Sequence, residues 1–237
     1  MQRHDFLWPQ SSAWPDLLAQ ASAQLPAHDA AGHACLQRWP HHGWPVVCAR
    51  QTQGAQNVAA GLSLPPDADG NKRRIALRLA AHQLQRCSAA PRLADIAAQH
   101  PASHVLQTVA QQLGKLLQCA LHVYGAYAWA SLTGLPYLHP ASDLDLLLCP
   151  RNLAACRQAL QALHDLQQQL QDSLRLDGEI MLPDGRALAW REMLQAGFLQ
   201  TASGTAAAQQ QLLCKSLYDV SLVPVTSLYQ AWHREAA

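Results

Sequence analysis

The residues best suited to chemistry lie in Ser142-Asp143-Leu144-Asp145-Leu146-Leu147-Leu148-Cys149. Read as a strand, this segment puts Asp143 and Asp145 on one face, roughly 6.6–6.8 Å apart along the chain, because side chains alternate with a period of two. Leu144, Leu146 and Leu148 then point the other way, into a core. Two carboxylates so placed can converge on one or two Mg²⁺ ions, which take hard oxygen ligands. Aspartate is depleted in strands, and burying it unpaired is costly, so a strand that carries two needs a compensating partner. The other reading is a strand end with its aspartates in water. Spacing alone does not choose between them. The same triplet recurs as Asp67-Ala68-Asp69 in a stretch dense in turn residues, where it reads as solvated loop.

Three further places could contribute. At Val123-Tyr124-Gly125-Ala126 a strand runs into a helix through glycine, a turn that lets backbone N–H groups approach a phosphate at the positive helix end. No GxxxxGK loop is present, and taken alone Gly125 reads more simply as relief of a tight turn. In Leu174–Leu182, Arg175, Asp177, Glu179 and Met181 share one strand face and Leu176, Ile180 and Leu182 the other. A third carboxylate from a neighbouring strand would complete a metal cluster, and Asp177 and Glu179 are the candidates; an edge strand with a solvated face is the alternative. Asp177 is favoured because its short side chain fixes geometry and Gly178 beside it admits a close backbone. Glu179, one of three glutamates, is then expected to pair with Arg175 or Arg186. Lys215, one of three lysines, sits in the apolar run QLLCKSL, where it either snorkels to water or holds a phosphate.

Cysteine and histidine offer less. The seven cysteines contain no CxxC pair and read as small buried hydrophobes in a reducing compartment. His41 and His42 are adjacent and diverge, while Pro101, between His100 and His104, marks a helix start that leaves only His104 inside the helix. Hydrophobic residues make up 49% of the 237 and charged residues only 14%, which excludes a disordered chain. A formal net charge of +1 excludes a generic basic nucleic-acid binder. No apolar run approaches the roughly 18 residues of a membrane span, and MQRHDFLWPQSSAWPDLL lacks the apolar centre of a signal peptide. The expectation is a soluble cytoplasmic protein.

The elements that must position these residues form two groups. In residues 1–85, a short helix from Pro15 with Ser12 as possible cap precedes apolar strand-length runs at 44–51 and 57–64. A turn stretch at 65–74 leads into RIALRLA, whose Ile75, Leu77 and Leu79 alternate. This reads as a small antiparallel sheet with one or two helices, ending at a boundary near residue 88. In 88–237 the pattern predicts a helix over 102–117, a strand at 121–125, a short helix at 126–134 and a strand at 142–149. A long amphipathic helix capped by Asn152 follows, then a strand at 174–182, the turn Pro183-Asp184-Gly185, a return strand at 186–190 and further helix. The expected class is α/β or α+β around a mostly buried sheet, with a smaller mixed α/β N-terminal domain, and α+β is the class that the resemblance below implies.

The order strand–Gly–helix, DxD on the next strand, then a later carboxylate resembles the nucleotidyltransferase superfamily built on the polymerase-β-like fold. Gly125 is followed by Ala126 where that superfamily usually has serine, so one hydroxyl contact to phosphate is missing. Longer stretches narrow the likeness: RHDFLW, WPVVCAR, YGAYAWASLTGLPYLHPASDLDLLL, RLDGEIMLPDGRALAWREM and LLCKS are similar to the malonate decarboxylase holo-acyl-carrier-protein synthases, which are phosphoribosyl-dephospho-CoA transferases. The resemblance implies a triphosphoribosyl-dephospho-CoA donor, a serine on the acyl-carrier subunit of malonate decarboxylase as acceptor, and release of pyrophosphate. It implies Asp143, Asp145 and Asp177 as catalytic and Mg²⁺-holding residues. Gly125, Ala126, Glu179 and Lys215 would lie on the substrate, and Lys72, Arg73 and Arg74 would be a basic cluster for gripping donor or carrier. The rival readings are a nucleotidyltransferase with another acceptor, and a binding module that kept the fold and lost catalysis.

Overall fold

The structure is a computed structural model describing residues 1–100, 102–117, 119–171, 173–199 and 210–232. Pro101 lies outside the described residues. Among those described, two β-sheets and eight α-helices make a mixed α/β protein. The chain divides into two compact units: residues 1–90 with 129–138, and residues 91–128 with 139–237.

The first unit is built on a five-stranded antiparallel sheet of β1 (Phe6–Pro9), β2 (Val46–Cys48), β3 (Asn57–Ser63), β4 (Arg74–Ala80) and β5 (Leu84–Ser88), in the order β4-β3-β2-β1-β5. In β4 the alternation holds as expected: Ile75, Leu77 and Leu79 are buried and the residues between them face water. Helices α1 (Trp14–Ser22) and α2 (Ala30–His42) accompany this sheet. Ser12 does not cap α1; it belongs to a short 3-10 turn that leads into the helix. Gln20 of α1 and Gln24, just past its end, cover the free edge of β4, each side-chain amide both accepting from and donating to the strand backbone at Arg78 and Ala76. An edge closed in this way cannot pair with another chain. The segment 129–138 completes the unit, with Trp129 edge-on to Phe6 at 5.2 Å and the Tyr137 hydroxyl donating to Ser63 O at 2.6 Å. The basic cluster is partly committed: Arg73 donates to both carboxylate oxygens of Asp29 and to Pro65 O, and so ties the loop after β3 to the start of α2.

The second unit holds a six-stranded sheet of β6 (Ala120–Tyr124), β7 (Leu144–Cys149), β8 (Leu176–Met181), β9 (Ala187–Ala189), β10 (Gln211–Lys215) and β11 (Val220–Pro224), in the order β11-β10-β9-β8-β7-β6. Only β7 and β8 run parallel. A parallel pair needs a crossover, and α6 (Leu153–Leu170) supplies it. The Asn152 side chain caps that helix, accepting from Ala155 N–H at 2.8 Å. Cys156, Leu160, Leu163, Leu166 and Leu170 of α6 form the buried stripe. With α3 (Leu93–Gln99), α4 (His104–Leu116) and α7 (Trp190–Gln195), α6 contributes to one core, which takes Leu144, Leu146, Leu148, Leu176, Ile180 and Leu188 from a single sheet face. Helix α8 (Val225–Tyr229) closes the unit, and α5 (Gly125–Thr133) follows directly from β6.

Seven free cysteines accompany this fold. Burial pushes the thiols of Cys48 and Cys149 up to about 11 and that of Cys156 to about 12. Near pH 8 their thiolate fraction is then on the order of 10⁻³ or less. Iodoacetamide is expected to label exposed Cys87 first and to leave Cys48 and Cys156 unmodified until urea unfolds the chain. Peptide mapping checks this, and labelling of native Cys156 at the rate of a free thiol would contradict it.

Candidate active site

The sheet face opposite the helical core carries the predicted chemistry. Asp145 of β7 lies level with Asp177 of β8, as Cα partners in the parallel register, and level with Tyr124 of β6 on its other side. Both carboxylates are half-buried. The leucines on either side of Asp145 point into the core, so the alternation predicted for this strand holds. Asp143 sits one residue before β7 rather than inside it, where Leu144 N–H donates to Arg175 O at 2.9 Å and starts the ladder.

Two glycines make this closeness sterically possible. Gly125 opens α5 at φ +67°, and a Cβ there would run into Oδ2 of Asp145. The glycine therefore does more than relieve the turn: it clears space for the aspartate. Gly178, at φ +133°, faces the backbone of Leu146, whose carbonyl oxygen and amide a Cβ would overlap. Its N–H donates to its neighbour Asp177 Oδ1 at 2.7 Å and so orients that carboxylate.

Glu179 is level with Leu147 and only 3% exposed, and it accepts from Lys215 Nζ at 2.9 Å. The expected partners were Arg175 or Arg186. Instead Arg186 is held by Asp184 in its own turn, at 2.7 Å, and Arg175 lies 3.5 Å from both Asp143 and Asp177. Strand β9 explains the outcome: its small Ala187 and Ala189 are level with Lys215 and Glu179, which leaves room for the two long side chains to meet across it. A small apolar cluster of Leu147, Met181 and Ala187, with Tyr124 and Cys149 packed on it, floors this part of the face. Ala126, in the first turn of α5, is half-buried and brings no polar group.

Two positioning residues were not foreseen. Gln167, near the C-terminal end of α6, accepts from Leu176 N–H at 2.7 Å and from Arg191 Nη2 at 2.9 Å, and donates to Leu174 O at 3.2 Å. Arg191 donates to Leu176 O at 2.6 Å. Together they fix the start of β8, and with it Arg175 and Asp177. Gln167 lies in a run of three glutamines, so residue type alone could not single it out.

Carboxylates of Asp143, Asp145 and Asp177 are the hard oxygen donors a divalent cation such as Mg²⁺ takes. Among the described residues no three His, Cys, Asp or Glu side chains are already gathered around one point. A cation nevertheless stands between two of these carboxylates, the Arg175 guanidinium, so the face suits positive charge.

Comparison with known proteins identifies the context of this face. Residues 2–90 match the family model described as phosphoribosyl-dephospho-CoA transferase MdcG N-terminal domain, and residues 78–226 that of its C-terminal domain. The chain belongs to the phosphoribosyl-dephospho-CoA transferase family. It is a transferase. Curated relatives of that name include one from Xanthomonas axonopodis pv. citri (strain 306), 34% identical over 235 residues and covering 97% of both chains. Another, from Xanthomonas euvesicatoria pv. vesicatoria (strain 85-10), is 33% identical over 232 residues, 96% of both. A third, from Bradyrhizobium diazoefficiens, is 32% identical over 194 residues, 81% of both. No solved structure matches the chain significantly. Among the described residues of this family member, no helix is long and apolar enough to cross a membrane.

Proposed function

We propose that this phosphoribosyl-dephospho-CoA transferase moves the 2′-(5″-phosphoribosyl)-3′-dephospho-CoA group from its triphosphoribosyl precursor to a serine of the acyl-carrier subunit of malonate decarboxylase. The observation that carries the reading is the level pairing of Asp145 with Asp177 beside a glycine cleared for Asp145, in a chain of this family. The second unit is read as a polymerase-β-like nucleotidyltransferase domain in the cytoplasm, and residues 1–85 as the part that grips donor or carrier.

In this reading the serine oxygen attacks the α-phosphorus of the donor. A new P–O bond forms, the bond to the β-phosphate oxygen breaks, pyrophosphate leaves, and the serine proton passes to a carboxylate. Asp143, Asp145 and Asp177 would hold Mg²⁺, which when bound neutralises charge on the triphosphate and acidifies the hydroxyl. Asp177, already oriented by Gly178 N–H, serves as ligand or as base for the serine proton. Backbone N–H groups at the start of α5, near Gly125 and Ala126, would steady the leaving phosphates. Buried Glu179 keeps the Lys215 cation at the edge of this face, where Lys215 retains enough exposure to meet a phosphate.

Substitution of the two β8 carboxylates tests the assignment. Asp177→Asn is expected to cut the rate about 100-fold or more, the scale of a lost base or ligand. Glu179→Gln should cost far less in rate and act chiefly on stability, because its carboxylate is engaged by Lys215. Mass spectrometry of the carrier subunit, co-produced with each variant, reads the outcome. An inactive Glu179→Gln beside an active Asp177→Asn would reverse the assignment, and an unmodified carrier with the unaltered chain would remove the proposed acceptor.

A further inference from the structure

Arg175 differs from three other ion-paired cations among the described residues. Arg73–Asp29, Arg186–Asp184 and Lys215–Glu179 close to 2.6, 2.7 and 2.9 Å. Arg175 instead lies 3.5 Å from Asp143 and 3.5 Å from Asp177, one contact from each arm of its guanidinium, with its side chain 60% exposed. It is held loosely, in water, between the carboxylate that just precedes β7 and that of Asp177 in β8. An exposed pair of this kind is weak and costs little to break.

We propose that Arg175 is an exchange cation. It holds Asp143 and Asp177 while the site is unloaded, leaves when a divalent ion takes them, and then binds phosphate oxygens of the donor. The inference rests on the metal reading given above. Two observations and one electrostatic argument support it. The guanidinium lies 3.5 Å from each of two carboxylates assigned to the ion, so the two cations compete for them. Like charge would drive Arg175 off as the ion arrives. The displaced side chain has room, since it lines a cavity of about 480 Å³ beside Asp143, together with Ser142, Ser173 and Arg191. Once released, its planar fork of N–H donors suits phosphate oxygens.

The test measures Mn²⁺ binding to the full chain by electron paramagnetic resonance without donor, then inorganic triphosphate binding by calorimetry at saturating Mg²⁺. Removing a competing unit charge should tighten Mn²⁺ binding roughly five- to tenfold in Arg175→Met. Arg175→Gln, which keeps polarity and loses the charge, should behave alike, whereas Arg175→Lys should stay within about twofold of the unaltered chain. Triphosphate binding should weaken about tenfold in the Met and Gln variants, as expected for loss of a charged phosphate contact. Equal Mn²⁺ affinity in all four proteins, or weaker binding in Arg175→Met and Arg175→Gln, overturns the exchange and leaves the metal reading standing. Absence of Mn²⁺ binding in all of them overturns both.

Discussion

Asparagine at Asp145 is expected to lower transfer roughly 10³-fold, the scale seen when a group that stabilises the reacting charge is removed. Asp145 is central among the three aspartates: it is level with Tyr124 on one side and Asp177 on the other, and Gly125 leaves space against its Oδ2. Asparagine keeps the size and removes the anionic oxygen, so both sheets should persist. Asp143→Asn should fall comparably, since it removes a second hard ligand. Carrier modification followed by mass spectrometry reads the rate, and circular dichroism reads the fold. Wild-type turnover by either variant at saturating Mg²⁺ would sink the metal assignment.

The second large effect is on stability. Gly178→Ala places a methyl group onto the backbone of Leu146 and forces alanine to φ +133°, a region that side-chain-bearing residues rarely adopt. Backbone strain together with separation of β7 from β8 should destabilise the chain by more than about 3 kcal/mol. Neither part of the clash can relax by rotating a side chain, because the obstacle is main chain. Thermal unfolding of the purified variant, followed by circular dichroism, checks this. A thermal midpoint within about 2 °C of the unaltered chain would show that the strands tolerate the methyl group.

Local patterns in the sequence carried much of the second unit. Asn152 and the leucine series specify α6, Pro183-Asp184-Gly185 specifies the β8–β9 turn, and the alternation around Asp145 specifies a face. Other elements lacked such a signal. β5 is largely exposed, with Gln85, Arg86 and Cys87 facing water, and so has no buried stripe to reveal it. α2 carries Pro40 inside and small or polar residues through most of its length. The β10–β11 hairpin, read as further helix, buries alternate residues Leu212 and Cys214, but Leu-Leu-Cys is apolar throughout and β11 is mostly exposed, so no alternation shows in the sequence.

The site divides along the same line. That Asp143 and Asp145 lie close together follows from spacing, because they are near in sequence. That Asp145 is level with Asp177, that Glu179 meets Lys215 across two alanines, and that Arg175 reaches Asp143 all depend on registers between strands far apart in sequence. No local pattern encodes those registers, and residue type could only nominate the participants.

The single parallel pairing of the sheet bears on how the protein comes to be active. β8–β9 and β10–β11 are hairpins with short loops and can close early, on the microsecond scale of such events. β7 must wait for β8 to return across the whole of α6, and closing so long a loop before any contact rewards it makes this step slow. Asp145 meets Asp177 only through that step, and a slip of one residue would turn Asp177 to the core side. Because β7, β8 and α6 also share one core, the same pairing that completes the unit brings the aspartates level, so the onset of transfer is a clock for the completion of folding.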